Sequence, residues 1–411
     1  MIQFIKKLIP QRLFRVLQPQ YHHVLAWLGA VRYGFPARKL TVIGVTGTNG
    51  KSTTVELLSR ILEDAGYKTA SSSSVRLCIN GEVERNELKM TMPGRAYLQR
   101  FLRRAVRLGC THAVVEVTSE GIKQSRHLYL NFHLAVLTNI TPEHIESHGS
   151  FEAYRAAKAE LFKITPIHVL NEDDKNFAYF SRIPARQIIA YRASNFPEHI
   201  KLKLPGAFNR ENAMAALTAA RALGIDDAVS KHALESTPGV PGRMEIIKET
   251  PFYVVVDYAH TPDAFEKVFD ALRKSDFRES GSRTSGDGGL ICVFGCTGGG
   301  RDVWKRSEMG KVAAKNCRFV VLTNDDPYDE SPEHILNDIE SGILEVSSHS
   351  RYEKIIDRRQ AIRCAISEAH SGDTIIITGK GSESVMVLSG DKKIPWDDRD
   401  VAREELQKLG A

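Results

Sequence analysis

A chain of 411 residues is too long for one ordinary hydrophobic core and predicts two or three domains. With 42% hydrophobic and 26% charged residues it reads as globular, and its net charge of +6 is spread along the chain. That excess suits anionic small substrates and lacks the concentrated basic stripe of a nucleic-acid binder. No apolar run reaches the ~18 residues of a membrane-crossing helix.

The chain opens with MIQFIKKLIPQRLFRVLQ, in which Ile2, Ile5, Leu8, Ile9, Leu13, Phe14 and Leu17 alternate with Lys6, Lys7, Arg12 and Arg15. Arg12 and Arg15 interrupt any signal-peptide core, so a cytoplasmic location is expected. Two readings stand. Residues 1–20 form a basic amphipathic helix in peripheral contact with a membrane, or they dock an apolar side on the body, with Pro10 breaking the stripe. Residues 1–38 are set apart as a short N-terminal helical segment.

Leu40-Thr41-Val42-Ile43-Gly44-Val45 then reads as a buried strand, followed by a glycine loop and a helix bearing Val55, Leu57, Leu58, Ile61 and Leu62. Similar β runs occur at Ala113–Val117 and Leu134–Thr138, separated by helical stretches, which predicts parallel βαβ units. A helix at Asn209–Leu223 closes this region, and the run Ser236-Thr237-Pro238-Gly239-Val240-Pro241-Gly242 breaks it. The pattern restarts with strands at Phe252–Val256, Leu290–Phe294, Phe319–Leu322 and Thr374–Ile377, and residues 274–289 read as a mobile polar loop. The expected fold class is α/β: a P-loop central domain with a mostly parallel sheet over 39–238, then a Rossmann-like C-terminal α/β domain over 239–411. The six cysteines (Cys78, Cys110, Cys292, Cys296, Cys317, Cys364) show neither a CxxC pair nor a disulfide framework, so free thiols are expected. Cys292 and Cys296 read as a strand residue and a loop residue rather than metal ligands.

The loop Gly44-Val45-Thr46-Gly47-Thr48-Asn49-Gly50-Lys51-Ser52-Thr53 lies between a strand and a helix. Its glycines let backbone amides wrap phosphate oxygens, Lys51 reaches the outer phosphates, and the Ser52 hydroxyl can ligate Mg²⁺. Val45 occupies the usual first-glycine position. Glu116 ends one β run, Glu143 and His144 follow another, and Lys158 lies in a helix (Tyr154-Arg155-Ala156-Ala157-Lys158). Strand ends of an open α/β sheet face the ligand crevice, so Glu116 and His144 are candidates to hold Mg²⁺ against a nucleotide.

In this order and spacing the motifs resemble the Mur ligase family. They are GTNGKST, Glu116-Val117-Thr118-Ser119, Thr138-Asn139 with Glu143-His144, Ala156-Ala157-Lys158, Gly206–Asn212, Gly242-Arg243-Met244-Glu245, Asp257–Asp263, Gly300-Arg301-Asp302, Asp325–Tyr328 and Gly379-Lys380-Gly381. The likeness covers about residues 39–404 and is strongest to the tripeptide-synthetase (MurE-type) branch. It implies an ATP-dependent, ADP-forming ligase that adds the third residue, a diamino acid such as lysine, to a UDP-MurNAc-dipeptide-like acceptor in peptidoglycan synthesis.

Residue by residue, the resemblance implies that Gly47, Thr48, Asn49, Gly50, Lys51, Ser52 and Thr53 hold ATP phosphates. Ser52 and Glu116 would ligate one Mg²⁺, and His144 a second, with Lys158 carbamylated into an anionic ligand. Lys51, Glu116, His144 and Lys158 would be the catalytic set. Asn209 and Asn212 would lie near adenine, Arg243 would reach the phosphates, and Asp257 and His260 the ribose. Thr91, Ser119 and Arg126 would hold the acceptor. Arg301 would clamp the amino-acid carboxylate, beside Asp325, Asp326, Tyr328, Gly379 and Glu383. Small molecules are the expected partners, with no nucleic acid.

Three departures bear on substrates. Tyr328 stands where the branch carries an arginine that reads a distal carboxylate, and the acidic surround (Asp325, Asp326, Asp329, Glu330) suits a cationic side chain. Ser382 and Glu120 replace histidines. Thirty-eight residues are too few for the family's UDP-sugar domain, so that domain is expected to be missing, and either another protein supplies UDP recognition or the acceptor differs, for instance by being lipid-linked. The expected chemistry is attack of an acceptor carboxylate on the γ-phosphate, then capture of the acyl phosphate by an amine, with a hinge near residues 236–242. A folate-type ligase is one rival. A nucleotide-binding scaffold without turnover is the other, and the joint presence of Glu116, His144 and Lys158 speaks against it.

Overall fold

The computed structural model describes residues 11–86, 90–273 and 288–410. The first ten residues, and 274–287 of the expected polar loop, lie outside the described residues. The chain divides into two compact units: Met1–Ile140, Glu152–Ile200 and Glu211–Ser236 form one, and Thr141–Phe151, Lys201–Arg210 and Thr237–Ala411 the other.

The first unit is built on eight strands: β1 (Thr41–Thr46), β2 (Thr69–Ser72), β3 (Arg76–Ile79), β4 (Glu82–Arg85), β5 (His112–Glu116), β6 (Phe132–Leu137), β7 (Ile167–Asn171) and β8 (Gln187–Tyr191). Their order is β4-β3-β2-β5-β1-β6-β7-β8. The six from β2 to β8 run parallel, and β3 and β4 add an antiparallel edge. Continuous apolar runs make β1, β5 and β6 central, since Val42, Ile43, Val114, Val115, Leu134 and Val136 are buried on both faces. Because β1 lies between β5 and β6, Val45 is opposite Glu116 and Thr46 opposite Leu137. Three carboxyl-terminal strand ends therefore meet at one edge, where such sheets take ligands. Helices α1 (Gln11–Tyr33), α2 (Lys51–Asp64), α3 (Arg95–Arg107) and α4 (Phe151–Lys163) belong largely to this unit.

The second unit carries β9 (Glu245–Lys248), β10 (Tyr253–Val256), β11 (Leu290–Phe294), β12 (Phe319–Leu322), β13 (Tyr352–Lys354) and β14 (Thr374–Ile377) in the order β13-β12-β11-β14-β10-β9. All but β9 are parallel. Side chains alternate across the sheet, so two cores form. One holds Phe265, Phe294, Met309 and Ile339; the other holds Phe319, Ile362, Ile377 and Val401. Helices on both faces make this sheet doubly wound. A hairpin, β15 (Val385–Leu388) with β16 (Lys392–Pro395), stands apart. All six cysteines are free thiols, Cys292 on β11 and Cys296 just beyond it.

Candidate functional site

In the first unit, Gly50 precedes α2 with φ 81° and Gly47 has φ 151°, so both depend on lacking a side chain. A Cβ on Gly47 would collide with Thr138 Oγ1, and one on Gly50 with Asn212 Oδ1. The loop is laced to the end of β6. Asn49 N donates to Asn139 Oδ1 at 2.9 Å, Thr48 N to Asn139 O at 2.8 Å, and Thr138 Oγ1 to Asn49 O at 2.7 Å. Lys51 Nζ lies 2.7 Å from Thr48 O and 3.9 Å from Glu116 Oε1. Ser52 Oγ donates to Glu116 Oε2 at 2.9 Å, and Ser74 N donates to the same oxygen at 2.9 Å. Lys158, buried, places Nζ 2.7 Å from Gly47 O. Thr48 Oγ1 and Tyr154 OH are 2.9 Å apart.

Lys51, Ser52, Glu116 and Lys158 thus converge on one glycine loop. Among the described residues no group of three or more His, Cys, Asp or Glu forms a metal cage. That composition still fits Mg²⁺, which keeps waters and binds through one or two carboxylates plus phosphate oxygens. A hydroxyl and a carboxylate at a helix N-terminus are such a donor set.

Arg126 reaches the segment that carries Thr91, and Met92 lies against Gly121 in the helix that Ser119 opens. Arg126 bonds Met92 O, next to Thr91, and donates to Gln124 Oε1 at 2.7 Å. Ser119 is buried in the short helix Ser119–Lys123, which Thr118 caps through Gly121 N. Burial, aided by Arg95, pushes the Arg126 guanidinium down. Its hydrogen-bond partners here are neutral, so an anionic ligand would restore balance.

In the second unit, loops after β10, β11, β12 and β14 form the other cluster. Buried Asp257 accepts from Met244 N at 2.8 Å and Ala259 N at 2.7 Å. Burial raises its carboxyl, against the lowering pull of Arg243 and these amides. Arg243 stacks 4.2 Å from the Tyr258 ring centroid. His260 Nε2 is 3.0 Å from Glu143 Oε1, and His144 lies 3.9 Å from the same carboxylate's other oxygen. His144 therefore clusters with the second unit, whereas the sequence grouped it with Glu116 and Lys158 on the loop side. Asn209 donates to Pro205 O at 2.7 Å.

Lys380, fully buried, pairs with Asp325 at 3.3 Å, Asp326 at 2.9 Å and Glu383 at 2.7 Å. Burial alone would lower its ammonium, but the three carboxylates hold it well above the ordinary lysine range. Tyr328 adopts φ 52° and packs its ring over Gly299, while Arg301 interacts with Tyr328, Tyr258 and Glu383. Asp329 accepts from Ser389 Oγ at 2.9 Å and Gly390 N at 2.8 Å, and Glu330 pairs with buried Arg306 at 2.6 Å. The acidic surround read from the sequence is thus already partnered. Gly379, with φ 106°, sits against Asp325.

Beneath this cluster lies a pair that sequence reasoning missed. Arg358 and Asp398, both fully buried, are joined at 2.7 Å, and Arg358 also donates to Asn324 O at 3.0 Å and Thr378 O at 2.7 Å. One guanidinium ties the loops after β12 and β14. No local motif announces it. Ser74 was passed over for the same reason.

Residues 45–197 match the Mur ligase middle domain and residues 242–381 the Mur ligase glutamate ligase domain. The UDP-N-acetylmuramoyl-L-alanyl-D-glutamate–2,6-diaminopimelate ligase of Syntrophomonas wolfei is 37% identical over 424 residues, covering 95% of this chain and 83% of its own. The enzyme of the same name from Gloeobacter violaceus is 39% identical, covering 93% and 80%. A solved ligase of that name superposes with a TM-score of 0.57 at 30% identity, over 90% of this chain and 79% of its own. Mycobacterium tuberculosis folylpolyglutamate synthase, at 18% identity and a TM-score of 0.69 over 90% of this chain and 96% of its own, shares the fold. The matches leave 17%, 20% and 21% of these three diaminopimelate ligases' own lengths outside them.

Proposed function

The chain belongs to the Mur ligase family, and on that footing we propose that it is the ATP-dependent ligase that adds a diamino acid to a UDP-MurNAc-dipeptide-like acceptor in peptidoglycan synthesis. The observation that carries this reading is the glycine loop with Lys51, Ser52, Glu116 and Lys158 converging on it, the arrangement a nucleotide-dependent carboxylate activation needs.

Each set of residues has a task. The loop amides and Lys51 hold phosphates in fixed positive surroundings, so little reorganisation is needed as charge moves. Bound Mg²⁺, held by Ser52 and Glu116 with a carbamylated Lys158 as a further ligand, would neutralise phosphate charge. Asn209, Asn212, Arg243, Asp257 and His260 serve the nucleoside and phosphates. Arg126, with Ser119 and Thr91, orients the anionic acceptor. Its carboxylate displaces ADP from the γ-phosphorus, and the amine of the incoming amino acid then displaces phosphate to leave an amide. Arg301 reads the amino acid's carboxylate. Asp325, Asp326, Gly379 and Glu383, braced by Lys380, shape the side-chain pocket, and Tyr328 lines it in place of a guanidinium. A cytoplasmic location is part of the same proposal.

The test is phosphate release with ATP, Mg²⁺ and UDP-MurNAc-L-Ala-D-Glu against lysine, ornithine and meso-diaminopimelate. Release dependent on both acceptor and one diamino acid is expected. Failure with all three sinks the reading.

A further inference from the structure

Helix α1 is apolar on two opposite sides. One side, bearing Ala26, Gly29 and Ala30, is buried. It meets α3, where a Cβ on Gly29 would sit 3.3 Å from Ala96. This contact uses only one side of the helix over residues 26–30. Tyr21, Val24, Trp27, Leu28 and Val31, at helical spacing on the far side, are 45–52% exposed. At 100° per residue these five fall within an arc of about 120°, centred opposite the buried side.

The two helices that meet here carry basic residues and no acidic ones. Residues 1–40 carry seven lysines and arginines and no aspartate or glutamate. Helix α3 adds five arginines, again with no acid. Arg100 and Arg103 follow Ala96 by four and seven positions, so they share the side of α3 that meets α1. Arg104 pairs with Glu82 and Glu84. A second copy of this chain would bring like charge against like around the stripe, which disfavours self-association. An anionic bilayer offers what the surface lacks: an apolar layer for the stripe and negative headgroups for its cationic flank.

We propose that the exposed side of α1 seats the protein on anionic phospholipid, with Trp27 and Tyr21 entering the headgroup boundary and Arg32, Arg100 and Arg103 facing the headgroups. No helix among the described residues is long and apolar enough to cross a membrane, so the contact is peripheral. This surface is independent of the ligase chemistry.

The full chain is sedimented with vesicles of phosphatidylglycerol and phosphatidylcholine, and with phosphatidylcholine alone. Binding to the first, weak binding to the second, and release at high salt are expected. A Trp27→Ser/Leu28→Ser variant should partition at least tenfold less, with nucleotide turnover in solution unchanged. Tryptophan emission should shift to the blue on anionic vesicles in the wild type and not in Trp27→Phe. Equal binding by the serine variant, no binding by the wild type, or a dimer that the serine variant abolishes would each overturn the proposal.

Discussion

The glycine-loop cluster of the first unit and the four-loop cluster of the second are held together by different physics. The first is positioned by backbone. Glycines in conformations closed to other residues, main-chain amides and a pair of hydroxyls fix a nearly contiguous stretch, and Glu116 is its one carboxylate. The second is positioned by buried ions, with Lys380 against three carboxylates and Arg358 against Asp398. A site built on backbone can lose a side-chain charge and keep its shape. One built on buried ions cannot, because each partner left behind is an uncompensated charge.

The sharpest way to break that contrast is Arg358→Ala. It strands Asp398 and frees two loop carbonyls, and should cost the second unit about 3–5 kcal/mol in denaturant unfolding. Arg358→Met/Asp398→Leu should recover part of that loss, since it removes both charges. A loss below about 1 kcal/mol in the single variant would refute the ionic account. Lys51→Ala should do the opposite. We expect kcat to fall about 10²–10³-fold, or about 3–4 kcal/mol, with the unfolding midpoint almost unmoved.

Acid separates the units next. Burial pushes the His127 imidazole down to about 4 from 6.5. Between those values the unfolded chain binds a proton that the folded chain does not. Stability is therefore complete above about pH 6.5 and falls toward pH 4, by up to about 3 kcal/mol. In the second unit, hydrogen bonding by Arg363, then by Lys408 and Arg359, outweighs burial and holds Glu405 down at about 2, against 4.5. Its contribution is present above about pH 4.5 and is lost as pH falls through 2. Hydrogen exchange should thus show the first unit loosening at higher pH than the second, and His127→Asn should erase the upper step. The smallest effect concerns substrate choice. Tyr328→Arg should shift kcat/KM about tenfold, or about 1.4 kcal/mol, toward a diamino acid with a distal carboxylate.

Strands β1, β5, β6, β10, β11, β12 and β14 were legible because buried parallel strands are written as unbroken apolar runs. β2 and β4 were not, since Thr-Ala-Ser-Ser and Glu-Val-Glu-Arg carry no such run and gain their strand character from pairing. The same omission hid Ser74, which lies in the turn between β2 and β3 and bonds Glu116. The partners of the acidic stretch from Asp325 to Glu330 stayed hidden for a related reason. Its countercharges, Lys380 and Arg306, sit 20 or more positions away in the chain.

By itself, then, the sequence determined the glycine loop, the helix it opens and the strands whose ends carry Glu116 and Asp257, because phosphate wrapping and strand burial are local properties of a few consecutive residues. Only the tertiary structure decided that His260 arrives beside Glu143, that the acids near Tyr328 are spoken for, and that α1 turns a second apolar side outward. Charge balance and exposure depend on which distant residues arrive beside a group, and no stretch of the chain states that in advance.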